Sequence, residues 1–413
     1  MDVVSACRDL LRIDTSNPGA TEAEAAAYVA ERLAAVGLGP IVLEPEPGRC
    51  TVIATQPGAD PELPPAIVHG HLDVVPVPDA DAWTHDPFGG VEADGFLWGR
   101  GAVDMKNTVA AMLTLQVAWA REGRRPRRTL VFAYFADEEM GGPLGSRWVA
   151  EHRPDLFAGA AFAIGEIGGF PVPVPGGPTL YPLQVAERGM VWLRLTATGA
   201  SGHAAFTAGT GPVVHLADAL ARISRLELAD GTPPGHAALL EHLGPVALES
   251  LGSFGAAARN AATTTFVPTI LAAGDKINVI PREAIAFVDV RVAPGFAERA
   301  TAAVAATLGE HVRMDVLASS DGVNAPLDTE LLAAAERAVR TVDPAGAVAP
   351  FAMAAGSDAQ RLAQLGIPGY GFTPLTAPPS FDYLANFHAR DERVPVQGLR
   401  DGLRMLEAFL LAC

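Results

Sequence analysis

The sequence predicts an α/β protein built on a mixed sheet, into which a smaller α+β domain is inserted. Buried apolar runs alternate with helical patterns up to residue 186 and again from residue 319, as in sheets covered by helices. Between these segments the strand patterns alternate between apolar and polar residues. With 413 residues, two or three domains are expected. We predict a discontinuous domain, 1–186 and 319–413, and an inserted domain, 187–318.

The elements of the larger domain follow from periodicity and from turn residues. Apolar runs of strand length predict buried strands at 66–70, 129–136 and 161–165. Helical spacing of apolar residues predicts helices at 21–36, 106–121, 329–341 and 395–411.

The inserted domain has a different order of elements. The pattern predicts a strand at 191–199, a helix at 212–226, strands at 264–273 and 284–292, a helix at 296–308 and a strand near 312–318. This β-α-β-β-α-β order is the ferredoxin-like arrangement. The Gly/Pro-rich segment 229–262 is predicted to be a long loop with one short helix at most.

Composition and charge exclude several classes of protein. Hydrophobic residues make up 49% of the chain, which is too many for a disordered protein. The net charge of −17 opposes nucleic-acid binding. The arginines at 124–128 fit a solvated turn before a strand better than a binding patch.

The cysteines and the apolar runs bear on the compartment. Cys7, Cys50 and Cys413 form neither a disulfide framework nor a metal-site spacing, which favours a reducing compartment. The first residues lack the apolar stretch of a signal peptide, and no run reaches the ~20 residues of a membrane span. We therefore expect a cytoplasmic protein without a membrane partner.

Polar side chains follow three of the predicted buried strands. They are His71 and Asp73 after the first strand, Asp137, Glu138 and Glu139 after the second, and Glu166 after the third. In open α/β sheets, ligands bind beyond the carboxyl ends of the strands. The sequence therefore predicts that these groups face one crevice.

Each group has an alternative without chemistry. His71 and Asp73 lie on one side of an extended segment, where one can bind a metal and the other buttress the imidazole, or the two can simply cap a strand. Asp104 can bind a metal or serve as the N-cap of the following helix. The carboxylates at 137–139 repel each other unless cations lie nearby, which favours a functional site.

Two histidines lie far along the chain from these groups. His388 stands before the last helix and, by itself, fits a solvated loop. His203 is flanked by small residues that permit close approach of the backbone. Taken together, the carboxylates and imidazoles form a set without thiolate, which suits zinc, cobalt or manganese in a catalytic site.

Ten motifs in order along the chain carry a resemblance to a known family. They are LLRIDTSNPG (10–19), GHLDVVP (70–76), GRGAVDMK (99–106), FADEEMGG (135–142), GEIGG (165–169), VAERG (185–189), GHAAF (202–206), INVIP (277–281), AGSDA (355–359) and HARDERV (388–394). The sequence resembles the co-catalytic zinc hydrolases that include aminoacylase, acetylornithine deacetylase, succinyl-diaminopimelate desuccinylase and glutamate carboxypeptidase, the family-twenty metallopeptidases.

The resemblance implies a role for each matched residue. His71 and Glu166 would hold one metal, Glu139 and His388 the other, and Asp104 would bridge them. Asp73 would orient His71, Glu138 would be the general base, and His203 would stabilise the oxyanion. Arg188, Asn278 and Arg291 match positions associated with substrate binding or with the domain hinge. The fold implied is a zinc-peptidase-like catalytic domain with an inserted lid and dimerisation domain.

The resemblance also implies a substrate class and a partner. In the family it resembles, aminoacylases, deacylases and carboxypeptidases have glutamate at the position of Glu166. Peptidases that need a free amino terminus have aspartate there. We therefore expect a hydrolase that cleaves an amide bond of N-acyl amino acids or releases C-terminal residues of small peptides. It would use two divalent metals, most simply zinc, and form a homodimer. A dipeptidase on the same scaffold and a dimeric homologue without catalysis are the alternatives.

Overall fold

The computed structural model describes residues 1–206, 211–228 and 231–413. Its helices are α1 Val3–Leu11, α2 Ala23–Ala34, α3 Lys106–Glu122, α4 Ser146–His152, α5 Pro212–Ile223, α6 Pro234–Leu243, α7 Gly252–Ala261, α8 Ala297–Thr307, α9 Thr329–Arg340, α10 Ala359–Ala363 and α11 Val396–Ala412. Its strands are β1 Ile41–Leu43, β2 Thr51–Gln56, β3 Ala66–His71, β4 Val91–Ala93, β5 Phe96–Trp98, β6 Leu130–Phe135, β7 Phe162–Gly165, β8 Leu180–Glu187, β9 Gly189–Thr198, β10 Gly202–His203, β11 Thr265–Ala273, β12 Val279–Ile280, β13 Glu283–Val292, β14 Val312–Ser320, β15 Val323–Asn324, β16 Ala347–Met353, β17 Gly369–Gly371 and β18 Arg393–Pro395.

A nine-stranded mixed sheet forms the larger body, as the sequence predicted. Its order is β1-β2-β6-β3-β7-β17-β8-β15, with β16 beside β8. Strand β3 lies between β6 and β7 and runs parallel to both. Because β3 and β6 are buried along their whole length, their apolar runs do not alternate.

Helices cover both faces of this sheet. On one face, α1, α3, α9 and α11 contribute to a large apolar core that contains Leu10, Trp119 and Phe409. On the other face, α4 and α10 contribute Val149 and Leu362 to a smaller core. Within the described chain, no helix combines the length and the apolar character needed to cross a membrane.

A four-stranded antiparallel sheet forms the second body. Its order is β11-β13-β9-β14, and α5 and α8 contact its strands. Val191, Leu193 and Val288 belong to a separate core on the side of these helices. The order of the main elements is the predicted β-α-β-β-α-β order, with β10 and β12 as a short extra pair.

The prediction of a long loop at 229–262 was wrong for its described part, 231–262. This part contains α6 and α7, joined by a turn of 3₁₀ helix at Leu248–Leu251. Leu239 and Leu243 of α6 are buried in the core of the larger body, and both helices contact β16. The prolines and glycines that suggested a loop stand at helix ends, where Pro starts α6 and Gly244, with φ of 56°, ends it.

Candidate metal centre

The carboxyl ends of three adjacent parallel strands meet at one edge of the large sheet. His71 is the last residue of β3, Asp137 to Glu139 follow β6, and Glu166 follows β7. The structure therefore places these residues at the same edge of the sheet.

Two groups of three donor residues lie at this edge and share Asp104. In one group, His71 Nε2 lies 3.0 Å from Asp104 Oδ1 and 3.6 Å from Glu166 Oε2. In the other, His388 Nε2 lies 3.1 Å from Asp104 Oδ2 and 3.3 Å from Glu139 Oε2. Within each group, the possible ligand atoms all lie within 4.8 Å of one another. Asp104 thus offers one oxygen to each group.

The loop before α3 explains why Asp104 is not an N-cap. Helix α3 begins at Lys106, its N-cap is Met105, and no side chain caps it. Gly101 in this loop has φ of 89°, and a Cβ there would meet Val74 Cγ1 at 2.7 Å. The glycine therefore permits a turn that sends the Asp104 carboxylate to the two histidines.

Burial and charge show that these residues fit divalent cations. His71, Asp104 and Glu166 are all buried. Burial raises the pKa of Glu166 to about 8, and hydrogen bonds to Asp104 and Glu139 raise the pKa of His388 to about 10. Such shifts mean that the carboxylates need positive charge beside them. Glu139 Oε1 is buried without a hydrogen-bond partner, as expected of an oxygen available for coordination.

Glu138 lies beside the two groups without belonging to either. Burial, followed by the charge of Glu166, raises the pKa of Glu138, and the charge of His71 lowers it. A carboxylate with a raised pKa next to a metal centre has the property required of a general base.

Asp73 holds its neighbours differently from the predicted buttress. His71 Nδ1 lies 2.9 Å from the backbone oxygen of Asp73, whereas the Asp73 carboxylate is 3.7 Å from this nitrogen. The carboxylate instead accepts hydrogen bonds from the backbone N–H groups of Glu138 and Glu139, both at 3.1 Å. Residue 73 therefore orients the imidazole through its main chain and fixes the two glutamates through its side chain.

This geometry predicts that Asp73→Asn impairs catalysis more than metal binding. The backbone contact with His71 survives, but an amide NH₂ replaces one oxygen that accepts from a glutamate N–H. We expect kcat to fall about 10–100-fold, the usual effect of losing a group that supports a metal site. Steady-state kinetics and metal analysis will measure this, with the exposed Asp60→Asn as control. Loss of metal at unchanged kcat per loaded enzyme would contradict the assignment.

Two supporting residues were missed from the sequence. Asn17 Nδ2 donates to Asp73 Oδ2 at 3.0 Å and to Asp137 Oδ1 at 2.8 Å, and Arg49 Nη2 donates to Asn17 Oδ1 at 3.0 Å. The only signal was the run of three carboxylates at 137–139, which required partners. For Asp137 the partners are Asn17 and the backbone N–H of Leu144, rather than a cation.

His69 precedes His71 on the same face of β3 and is buried without a hydrogen bond at Nε2. Burial, with a smaller effect from the charge of His71, lowers the pKa of His69 to about 3. A bound metal would add positive charge and act in the same direction. The unfolded chain protonates this imidazole near its ordinary pKa of ~6.5, while the folded chain keeps it neutral.

Folding stability should therefore fall as pH falls from about 6.5 towards 3. This residue alone can contribute a slope of up to about 1.4 kcal/mol per pH unit. Urea unfolding of the parent and of His69→Gln between pH 4.5 and 7.5 should give a shallower slope for the variant. Exposed His152→Gln is the control, and equal slopes for the parent and His69→Gln would contradict this assignment.

The remaining predicted residues lie outside both donor groups. His203 Nε2 lies 3.4 Å from Asn278 Nδ2, where β10 pairs with β12. The side chain of His203 is exposed, whereas Asn278 is half-buried. Arg188 lies between β8 of the large sheet and β9 of the small sheet, and its Nη2 donates to the backbone oxygens of Thr263 and Arg291. The side chain of Arg291 pairs with Asp289 at 3.1 Å.

Comparison with known proteins identifies the family. The profile of peptidase family M20/M25/M40 matches residues 67–412. The chain belongs to this family. Aminoacylase-1 of Sus scrofa is 29% identical over 406 residues, which cover 95% of this chain and 90% of that protein.

Solved structures agree with the M20 assignment at the level of the fold. The M20 family metallo-carboxypeptidase Sso-CP2 of Sulfolobus solfataricus has a TM-score of 0.76 at 17% identity, covering 100% of this chain and 99% of that one. The YXEP protein of Bacillus subtilis, a dinuclear metal-binding M20 peptidase, has a TM-score of 0.66 at 16% identity, covering 99% and 96%. The protein is thus an M20 hydrolase of amide or peptide bonds, with two groups of residues that could each hold a metal ion.

Proposed function

We propose that this M20 hydrolase removes the acyl group from N-acyl amino acids or the C-terminal residue from small peptides. The observation that carries the proposal is the position of Glu138 beside two donor groups that share Asp104. The identity of residue 166 as glutamate and the similarity to an aminoacylase over nearly the whole chain support an acylated substrate.

In the proposed site, His71, Asp104 and Glu166 would hold one ion, and Asp104, Glu139 and His388 would hold the other. Imidazole and carboxylate donors without thiolate favour zinc and also accept cobalt or manganese. When bound, two such ions polarise the amide carbonyl and lower the pKa of the attacking water.

The protein's own residues carry the proton transfers. Glu138 takes a proton from water as the water oxygen bonds to the amide carbon. The same carboxyl group then gives this proton to the amide nitrogen as the C–N bond breaks, which releases an amine and a carboxylate. His203 donates a hydrogen bond to the oxyanion that develops on the carbonyl oxygen. Arg291 binds the carboxylate of the substrate in place of Asp289.

A cavity of about 340 Å³ offers a place for the apolar part of the substrate. Phe170 in its wall follows Glu166 by four residues, and Leu384 precedes His388 by four. Tyr383, also in the wall, donates to the backbone oxygen of Val103 next to Asp104. We infer that an acyl chain or an amino-acid side chain of moderate size occupies this cavity.

The proposed enzyme acts as a homodimer, in which His203 of one copy serves the site of the other. Phe206 beside His203 is 89% exposed, and Ile277 beside Asn278 is fully exposed. Large apolar side chains are rarely left this exposed unless another molecule covers them. Their position next to a candidate catalytic residue supports a contact with a second copy of the chain. The cytoplasmic location is supported by three free, buried cysteines.

Product analysis tests the proposed substrate class. Purified protein loaded with zinc or cobalt is incubated with N-acetyl amino acids, N-blocked dipeptides and dipeptides with a free amino terminus, and amine release is measured. Hydrolysis of the blocked substrates is expected, with a dependence on acyl or side-chain length. Hydrolysis of free dipeptides alone would replace the proposal with a dipeptidase, and inactivity on all three sets with two metals bound would favour a homologue without catalysis.

A further inference from the structure

One buried carboxylate joins the two loops that carry Asp104 and His388, and the mechanism above does not use it. Glu392 is fully buried, four residues after His388. Its side chain accepts four hydrogen bonds from the loop before α3, namely from Arg100 Nη1 at 2.7 Å and from the backbone N–H groups of Gly101 at 3.0 Å, Val103 at 2.8 Å and Asp104 at 3.1 Å.

Arg100, in the loop that carries Asp104, contacts the loop that carries His388. Its Nη1 pairs with Glu392, and its Nη2 donates to the backbone oxygen of His388 at 3.3 Å. In addition, the N–H of Gly99 donates to the backbone oxygen of Glu392 at 3.0 Å. Each loop therefore provides one buried charged residue that bonds directly to the metal-binding residue of the other loop.

A carboxylate is the side chain that this arrangement requires. Four donors converge on two oxygens, and an ionised carboxylate offers acceptor sites without a donor. A glutamine would place its NH₂ group against at least one of the backbone N–H groups that donate to Glu392. Burying an ion pair is a weak source of stability, so its presence points to a geometric role.

We propose that the Glu392–Arg100 pair is a positioning device that sets the separation of the Asp104 and His388 donor atoms. The pair would act on the ion held by Asp104, Glu139 and His388, so its role rests on the proposed two-metal site. The other ion depends on it less, since His71 and Glu166 are held by the ends of β3 and β7 in the large sheet. Glu392 and Arg100 thus act through the ligands and need not touch substrate.

Metal titration of the metal-free protein tests the proposal. In the parent, Co²⁺ is expected to bind in two phases. In Glu392→Gln, the phase assigned to the His388 position should weaken about 10–100-fold, as for other groups that support metal ligands, and excess Co²⁺ should restore kcat. The control is Glu407→Gln, which removes a carboxylate that bonds to Trp119 and Arg124 far from the site. Two unchanged phases would overturn the proposal.

Hydrogen exchange of the backbone N–H groups of Val103 and Asp104, measured without metal, separates this proposal from the proposed function. Exchange in Glu392→Gln should accelerate at these two positions and at Gly101, whose N–H also donates to Glu392, with positions outside the two loops unchanged. Equal acceleration throughout the protein, or none at these two, would overturn the positioning role. Should Glu392→Gln fail to fold, Arg100→Lys keeps the charge and the backbone bonds to Glu392 but loses the bond to the His388 oxygen. The His388 phase of its Co²⁺ titration should then weaken, and two unchanged phases would overturn the proposal. A parent that binds fewer than two Co²⁺ ions would refute the proposed function, whereas the exchange result would still stand.

Discussion

Replacing Glu138 by glutamine is expected to lower kcat by at least about 10²–10⁴-fold, the contribution of a positioned general base, with both metals retained. The amide is isosteric with the carboxylate but cannot take a proton from water. The hydrogen bond from the backbone N–H of residue 138 to Asp73 does not involve the side chain, so the local fold is kept. Amine release and metal content of the same preparation will measure both effects.

The neighbouring residue provides the matched comparison. Glu139 lies within a donor group, with Oε2 at 3.3 Å from His388 Nε2. We expect Glu139→Gln to lose metal together with activity, whereas Glu138→Gln loses activity alone. If Glu138→Gln turns over like the parent, another group is the base.

Replacing Asp104 by asparagine is expected to affect both ions at once. The carboxylate gives Oδ1 to the His71 group and Oδ2 to the His388 group, and asparagine keeps only one oxygen that can coordinate. We expect fewer than two ions per chain and a loss of roughly 10³-fold in kcat/KM, the equivalent of the several kcal/mol that metal ions contribute to transition-state stabilisation.

Thermal unfolding with and without a chelator complements this measurement. An ion that binds only the folded chain raises Tm, so chelation should lower the Tm of the parent. The Tm of Asp104→Asn should respond much less. Asp218→Asn, on the exposed side of α5, should behave like the parent. An Asp104→Asn protein that binds two ions and responds to the chelator as the parent does would show that the residue is not shared.

The sequence alone predicted the parts of the site that strands position. The strand ends at His71, Glu139 and Glu166 could be located because uninterrupted apolar runs mark buried parallel strands, and polar residues directly after them must lie at one edge of the sheet. The resemblance to a family added Asp104 and His388. Their meeting depends on loops whose course is set by contacts distant in sequence, such as those made by Glu392.

Features that depend on backbone atoms could not be predicted. Nothing in the residue types shows that the main chain of Asp73, rather than its carboxylate, contacts His71. In the same way, α6 and α7 were predicted as a loop, because glycines and prolines at helix ends resemble those of a loop. Only the structure shows that Leu239 and Leu243 of α6 are buried and that both helices contact β16.

The shared oxygens of Asp104 have a consequence for enzyme at limiting metal supply. Because one side chain belongs to both groups, the two binding equilibria are linked, and the factor by which one ion alters the affinity for the other applies equally in reverse. A chain that loses one ion therefore holds the remaining ion with a changed affinity. If the first ion raises the affinity for the second, the active fraction will rise with free metal concentration more steeply than two independent sites allow.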